Sequence, residues 1–471
     1  MVFSSAIFLF AFLPIVLLLY CLAGQRLKNG ILLAASLLFY AYGEPKFVFV
    51  MLASIVLNYA FAMLIELPGY GSKRWRRDWL LAALACDLGI LCVFKYLNFF
   101  GHMVGKALHI DLQLPSIALP IGISFFTFQA LSYVVDVYRG TTRVQRNPFS
   151  LALYISFFPQ LIAGPIVRYS TIAEQIDDRK VTPEKLSQGV QRFIAGFCKK
   201  VLLANNVALV AEAAFDVHGE KSVALLWVGS LAYTLQIFFD FCGYSDMAIG
   251  LGKMFGFEFE ENFNYPYMAK SVTDFWHRWH ISLSQWFRDY VYFPLGGSRV
   301  TPARHIFNLF VVWFLTGLWH GANYTFLAWG MMYFVMQLVE KFLVKPQRLN
   351  GATAMGWRVV TLLIVNFGWV LFNSLSIADA KQYIFGMLGL RGLPLWSAAV
   401  TGSFREYGVF LLLGVMFSTP ITKVCGQRLC LGRAGTAWQK VLLPLGQIAV
   451  FAWAVSFVVL GAHNPFIYFN F

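Results

Sequence analysis

Long apolar runs recur along almost the whole chain of 471 residues. The first covers residues 3–23 and the last covers residues 441–460. A helix that crosses the hydrocarbon core of a membrane needs about 20 apolar residues, so the runs predict an all-α polytopic membrane protein with about eleven crossings. Several runs are shorter than this, and for them we expect re-entrant or interfacial helices. No soluble insertion stands out, so we expect a single transmembrane domain over residues 1–471.

The composition excludes a soluble protein of this length. Hydrophobic residues make up 59% of the chain and charged residues 13%, against about 45–50% and about 25% in globular domains. The net charge of +14 is better explained by basic cytoplasmic loops than by a nucleic-acid partner, which we do not expect. Basic residues follow the first, third and fifth runs, around Arg26, Arg74 and Arg143. Loops that follow the first, third and fifth crossings lie on the same side of the membrane, and their basic residues predict that this side is cytoplasmic.

Residues 270–292 carry a helical pattern with a tryptophan-rich apolar face. Val272, Trp276, Trp279, Leu283, Trp286 and Tyr290 recur at steps of four and three. This spacing predicts an amphipathic helix. Such a helix lies in the membrane interface or packs against the transmembrane bundle, and the pattern alone leaves both open.

His320 is the strongest candidate for chemistry, because its flanks are almost wholly apolar. An ionisable group at membrane depth is expensive and faces a cavity or a partner. Gly317 and Gly321 bracket it at a spacing of four, which either allows two helices to approach closely or leaves space for a substrate. A hydrogen-bonded structural histidine is the competing interpretation.

Two further histidines, His277 and His280, lie on the amphipathic segment. On a helical wheel His280 falls beside the apolar face and points into the bundle, whereas His277 falls on the polar face. Histidines three apart share a helix face poorly and no fourth ligand is evident, so we predict no metal site. Asp240 and Asp246 follow an apolar run and are candidates for lining a substrate tunnel, although we favour a capping or hydrogen-bonding role. Buried histidines permit an acyl- or proton-transfer enzyme, or a transporter with a histidine relay.

Several ordered segments resemble the membrane-bound O-acyltransferase family, in the branch that acetylates alginate and bacterial cellulose. The matching segments are residues 1–5, 119–125, 161–165, 239–250, 261–267, 275–284, 317–323 and 465–471. Cys242 and His277 depart from the serine and arginine usual in the family, and neither position is one of the two histidines that match.

The resemblance implies helices arranged around a central tunnel, with His320 as the catalytic histidine and His280 as the second important polar residue. It implies transfer of an acetyl group from a cytoplasmic thioester donor, acetyl-CoA, across the bacterial inner membrane toward hydroxyls of an exported polysaccharide. His320 would act as general base, since a neutral imidazole accepts a hydroxyl proton near pH 7. No bound cofactor is implied. The expected partners are membrane lipid, a periplasmic esterase-like protein and a polysaccharide synthase or export complex.

Within this resemblance, Trp319, Asn323 and Tyr324 are candidates for positioning the donor. Tyr468 lies in a terminal aromatic motif that resembles related acyl-transfer systems, in which the tyrosine is proposed to carry the acyl group. An interfacial aromatic anchor explains the same residue equally well. A peptidoglycan or teichoic-acid acyltransferase and, in a different class, a polysaccharide transporter remain the alternatives.

Overall fold

The computed structural model describes residues 1–67, 72–110, 114–115, 117–162, 164–216, 218–429, 441–465 and 467. All regular secondary structure among these residues is helical, which confirms the all-α prediction. In chain order the α-helices are α1 (Leu13–Leu22), α2 (Gln25–Gly43), α3 (Val48–Ile65), α4 (Lys73–Leu91), α5 (Leu97–Leu108), α6 (Ile123–Arg139), α7 (Pro148–Ser156), α8 (Phe158–Leu161), α9 (Tyr169–Asp177), α10 (Pro183–Cys198), α11 (Asn205–Phe215), α12 (Val223–Met254), α13 (Val272–Trp276), α14 (Ile281–Phe287), α15 (Pro302–His320), α16 (Tyr324–Leu338), α17 (Gly351–Asn373), α18 (Ile377–Met387), α19 (Ala398–Phe417), α20 (Ile421–Leu429) and α21 (Leu443–Val459).

Shorter helical segments extend or connect these α-helices. The π-helical segments are Phe8–Phe12, Cys92–Tyr96, Lys199–Ala204, Arg288–Tyr292 and Val339–Val344, and the 3₁₀ segments are Pro266–Met268 and Pro346–Arg348. Several π-helical segments join two α-helices into one longer continuous helix, as Lys199–Ala204 does between α10 and α11.

Among the described residues, seven helices are long and apolar enough to cross a membrane. They are Val48–Ile65, Lys73–Leu108, Pro183–Phe215, Val223–Met254, Tyr324–Arg348, Gly351–Asn373 and Ala398–Phe417. Two shorter apolar helices, Phe8–Leu22 and Leu443–Val459, accompany them. The chain is therefore a multi-pass membrane protein, and the figure of about eleven crossings remains a prediction drawn from the length of the apolar runs.

The chain divides into two compact units. The first contains Met1–Phe193 and Met247–Glu260, and the second contains Ile194–Asp246 and Glu261–Phe471.

Aromatic packing and one arginine hold the first unit together. The rings of Phe8, Phe39 and Phe158 lie with their centroids 5.5–6.3 Å apart. Arg179 donates hydrogen bonds to the hydroxyl of Tyr20 at 3.1 Å and to the carbonyl of Phe255 at 3.0 Å. These contacts fasten the turn after α12 to α1 and α9 over long sequence distances.

In the second unit, α15 and α16 are packed against each other through glycine. A Cβ atom on Gly317 would lie 2.5 Å from the carbonyl oxygen of Phe326, and one on Gly330 would lie 2.5 Å from the carbonyl oxygen of Trp313. Since real Cβ contacts do not reach this distance, each glycine lets one helix backbone touch the other. Close helix approach, rather than space for a substrate, therefore explains Gly317.

The amphipathic segment differs from the prediction of one continuous helix. It consists of α13, a break at 277–280 and α14. His280 has φ 45° and ψ 56°, and a left-handed residue cannot continue a right-handed helix. Trp276, Trp279 and Trp286 are buried, so this segment packs inside the bundle and the interfacial alternative is wrong.

Candidate active site

His280 occupies a strained position between α13 and α14. Its left-handed backbone is unusual for a residue with a side chain and costs about 1–3 kcal/mol, which is typical of functional sites. The side chain is 1% exposed, whereas His277 is exposed. The helical wheel therefore placed both histidines on the correct sides, although it treated the break as continuous helix.

Asn262 determines which nitrogen of His280 carries the proton. Its side-chain oxygen accepts a hydrogen bond from the backbone N–H of Ser282 at 3.1 Å. A backbone N–H only donates, so this side-chain atom must be the oxygen and not the nitrogen. His280 Nδ1 lies 3.2 Å from the same oxygen, and the neutral ring therefore donates from Nδ1. Its Nε2 carries the lone pair.

The Nε2 atom of His280 is buried and has no hydrogen-bond partner among the described residues. Residues 272–292 lie outside the candidate membrane spans, and burial lowers the pKa of His280 to about 3. The ring is therefore neutral at pH 7. A buried acceptor without a protein partner is costly, so the site is suited to a ligand that donates a hydrogen bond to Nε2.

His320 is the last residue of α15 and is 6% exposed. Its ring is enclosed by the rings of Trp319, Trp329 and Phe372, whose centroids lie 4.9, 5.0 and 5.2 Å away. Trp319 also lies 6.0 Å from the ring of His280. The two imidazoles therefore flank one indole ring, and the structure brings His280, Trp319 and His320 together.

A layer of aromatic side chains continues from His320 on one side. Trp276 lies 5.0 Å from Trp313 and 5.4 Å from Trp329, measured between ring centroids. The indole N–H groups of Trp276 and Trp329 and the hydroxyl of Tyr333 are buried and have no hydrogen-bond partner among the described residues. Polar donors inside an apolar layer are typical of ligand sites. Sequence reasoning missed Trp329, because no local pattern distinguishes it from other buried tryptophans.

The first pocket, here called the Trp276 pocket, has a volume of about 500 Å³. Its lining includes the side chains of Trp276, Gln285, Arg288, Trp313 and Gln337, with His277 at its exposed edge. It also reaches α15 at 309–316, before His320 along that helix. Arg288, which forms an ion pair with Asp289 at 2.8 Å, lines this pocket. Trp276 and Trp313 lead toward Trp329 beside His320.

The second pocket, here called the tail pocket, has a volume of about 340 Å³. Its wall includes Glu212, Gln236, Asn323, Phe326, Phe372 and Ile467. Asn323 and Phe326 follow His320 in the sequence, and Phe372 touches its ring. The tail pocket therefore reaches the ring of His320 through Phe372, and the Trp276 pocket reaches it through Trp276 and Trp329.

The remaining predicted site residues have different positions. Asn323 begins α16, accepts a hydrogen bond from the Thr325 N–H at 3.2 Å and donates one to the carbonyl of Leu375 at 3.0 Å. Tyr324 is 55% exposed and does not line either of the two pockets. Tyr468 lies outside the described residues. Its role as acyl carrier or membrane anchor remains a prediction.

The two aspartates predicted at the end of an apolar run both form ion pairs. Asp240 pairs with Lys200 at 2.5 Å and Asp246 pairs with Lys199 at 2.6 Å. Neither lines the Trp276 pocket or the tail pocket. This arrangement fits the hydrogen-bonding role that the sequence favoured.

A multi-pass helical protein with two buried histidines close to two pockets has the architecture of a membrane-embedded enzyme. The sequence profile of the membrane-bound O-acyltransferase family matches residues 141–378. A protein described as a probable alginate O-acetylase from Pseudomonas putida is 39% identical over 100% of both chains. The peptidoglycan O-acetyltransferase of Helicobacter pylori is 32% identical over 100% of this chain and 98% of that protein. The teichoic acid D-alanyltransferase of Bacillus subtilis is 30% identical over 54% of this chain and 67% of that protein.

The chain therefore belongs to the membrane-bound O-acyltransferase family, and it is an O-acyltransferase. The family assignment made from the motifs is confirmed. The relatives extend over both described units, so the site and its surroundings belong to the shared part of the family.

Proposed function

We propose that this chain transfers an acetyl group from a thioester donor in the Trp276 pocket to a polysaccharide hydroxyl that enters through the tail pocket. The observation that carries the proposal is the position of His320, whose ring contacts Phe372 of the tail pocket and Trp329, which in turn contacts Trp276 of the other pocket. A residue between donor and acceptor sites is the one that reacts with both. The names of the alginate O-acetylase relatives support acetyl as the group and polysaccharide as the acceptor.

His320 is the general base in this proposal. A hydroxyl is a poor nucleophile until its proton is removed, and a neutral imidazole accepts that proton. The alkoxide oxygen then forms a bond to the carbonyl carbon of the donor. Collapse of the tetrahedral intermediate breaks the C–S bond, and the imidazolium returns the proton to the thiolate.

His280 has a second role, which follows from its tautomer. Its Nε2 accepts a hydrogen bond, so it orients either the acceptor hydroxyl or a donor N–H in the site. The aromatic layer excludes water, which limits hydrolysis of the thioester before the acceptor arrives. The indole N–H groups of Trp276 and Trp329 are available as donors to the carbonyl oxygen on which negative charge develops.

The donor is acetyl-CoA, and it enters from the cytoplasm. The Trp276 pocket is lined largely by residues 273–292, which lie outside the candidate membrane spans. Arg288 suits the phosphate groups of such a donor. No bound cofactor is required, because the thioester supplies the activated acyl group.

The acceptor belongs to an exported polysaccharide of the alginate or cellulose type, and the membrane is the bacterial inner membrane. A periplasmic esterase-like partner and the synthase or export complex complete the modification outside, with membrane lipid around the bundle. The similarity to the Helicobacter pylori peptidoglycan O-acetyltransferase over the full chain supports peptidoglycan as the second candidate acceptor. Teichoic acid has weaker support, since that relative matches 54% of the chain. Family membership favours the enzyme over a polysaccharide transporter.

Tyr468 carries the acetyl group toward the acceptor in one version of this proposal and anchors the chain end in the other. A phenol with a pKa of about 10 is not far above a thiol at about 8.5, so transfer from thioester to aryl ester is nearly level in free energy. A Tyr468→Phe variant separates the two versions. Loss of acetylation supports the carrier, and full acetylation supports the anchor.

The experiment that tests the function measures ester-linked acetate on purified exopolysaccharide from cells that carry the wild type, His320→Ala or His277→Ala. The exposed His277 is the matched control. Acetate should disappear in His320→Ala at normal protein and polymer levels and persist in His277→Ala. Unchanged acetate in His320→Ala would make His320 structural, and loss of the polymer itself would favour the transporter.

A further inference from the structure

A buried ion pair lies between two candidate membrane spans in the second unit. Lys200, in Pro183–Phe215, and Asp240, in Val223–Met254, approach to 2.5 Å. Their side chains are 2% and 3% exposed. Ion pairs at such depth are costly to desolvate, and they persist when further hydrogen bonds satisfy the remaining atoms. The identity of those further partners therefore indicates what the pair is for.

The further partners are backbone atoms near the end of the chain. Lys200 Nζ donates to the carbonyl oxygen of Pro465. Asp240 Oδ2 accepts from the backbone N–H of Ile467 at 2.9 Å. The cation therefore binds a backbone carbonyl and the anion binds a backbone N–H two residues later, so both charges are matched to the same short segment.

Two weaker contacts continue this attachment. Asn205 Nδ2 donates to the side-chain oxygen of Asn464 at 3.2 Å. His463 Nε2 lies 2.9 Å from Glu212 Oε1 at an exposed position. The described hydrogen bonds of this segment therefore come from side chains of the helical stretch 200–212 and from Asp240.

The attached segment is also a wall of the tail pocket. Pro465 and Ile467 line it together with Asn323, Phe326 and Phe372. Phe372 touches the ring of His320 at a centroid distance of 5.2 Å. Release of the segment would therefore remove one side of the pocket that leads to the histidine.

We infer that Lys200 and Asp240 form a docking site for the chain's own C-terminal segment 463–467, and that docking completes the pocket through which the acceptor reaches His320. Lys200 and Asp240 are positioning residues, since they act through the segment and not on the reacting atoms. The role of docking in the acceptor pocket rests on the proposed function. The docking of the segment on Lys200 and Asp240 does not depend on that function.

The test removes both charges at once, because a single substitution would leave the other charge buried and alone. The variant is Lys200→Met with Asp240→Leu in the full chain. The matched control is Lys199→Met with Asp246→Leu, which removes the neighbouring ion pair between the same two stretches of helix. Detergent-purified proteins are compared by size-exclusion elution and membrane level, so that misfolding is seen directly.

The first readout is independent of catalysis. Each protein is digested with a carboxypeptidase and its intact mass is followed with time. The wild type and the control should retain residues 463–467, whereas the neutral Lys200/Asp240 variant should lose them at least tenfold faster. Equal protection in this variant would overturn the docking site.

The second readout is ester-linked acetate on the exopolysaccharide, with the KM for acceptor measured in membranes. The neutral variant should lose at least tenfold in acetylation and raise the acceptor KM, with the donor KM unchanged. An Ile467→Pro chain, which lacks the N–H that Asp240 binds but keeps Tyr468, should show the same loss, and it keeps the inference testable if the neutral variant does not fold. A released segment with unchanged acetylation would overturn the role in the acceptor pocket. Failure of wild-type acetylation would reject the proposed function and leave the digestion result standing.

Discussion

The Trp276 pocket and the tail pocket have walls that are built in different ways. The Trp276 pocket is made by side chains of α13, α14 and α15, with Arg288 as its cation. The tail pocket combines a carboxylate, amides and rings with a segment that is nearly at the end of the chain. A rigid aromatic wall suits one constant donor, whereas an amide-rich wall that includes a docked segment suits sugar hydroxyls.

The largest effect should come from His320, whose ring contacts Phe372 of the tail pocket and Trp329, the neighbour of Trp276. In an in vitro assay with purified membranes, His320→Ala should lower kcat at least about 100-fold, the usual contribution of a general base. The KM values for donor and acceptor should change little, because the base acts in the transition state. A large rise in only one KM would assign His320 to that pocket alone.

The next largest effect should come from Asn262, which holds the tautomer of His280. Asn262→Ala should lower kcat about tenfold, because His280 loses the acceptor that keeps its proton on Nδ1. Asn262→Asp keeps an oxygen and should restore most of the rate. Its carboxylate should raise the pKa of His280, so the acid limb of the pH profile should move to higher pH. A profile that stays in place in Asn262→Asp would show that Asn262 is only structural.

Two further substitutions should have smaller effects, one on the donor KM and the other on the acceptor KM. Arg288→Gln should raise the donor KM about three- to tenfold, with the acceptor KM unchanged, since it removes one charge-assisted hydrogen bond. Gln236→Leu, of similar volume, should raise the acceptor KM by a similar factor, with the donor KM unchanged. If both variants raise the same KM, the two pockets are not separate entry routes.

The smallest effect should come from His277. This histidine lies on the edge of the Trp276 pocket but is exposed, so His277→Ala should change kcat and both KM values less than about twofold, as expected for an exposed substitution. A tenfold change would mean that the exposed edge of the pocket contributes to donor binding. Steady-state kinetics on matched membrane preparations distinguishes the two.

Local patterns in the chain predicted much of the fold and part of the site. The apolar runs predicted the helices, and the helical wheel separated buried His280 from exposed His277, because side-chain direction repeats every 3.6 residues. The same reasoning predicted one continuous helix over 270–292, which is wrong. The periodicity does not predict the left-handed backbone of His280, which depends on contacts with Asn262.

Asn262 shows why part of the site could not be predicted. It stands in the motif 261–267, which was used only as a family resemblance. Its contact with His280 joins residues 18 apart through a loop. Glu340 is a similar case, since it accepts hydrogen bonds from the N–H groups of Val272 and Thr273 at 2.6 and 2.9 Å and thereby fixes the start of α13. Such partners lie far apart in sequence, and no spacing rule links them.

The sequence by itself determined that this protein crosses a membrane repeatedly, that it is an O-acyltransferase, and that His280 and His320 are the histidines to consider. These conclusions follow from hydropathy, helical periodicity and ordered motifs, which are properties of neighbouring residues. Only the tertiary structure decided the proton position on His280, the two pockets beside His320, and the binding of the chain end by Lys200 and Asp240. Each of these depends on hydrogen bonds and ring contacts between distant residues, whose geometry exists only once the helices have packed.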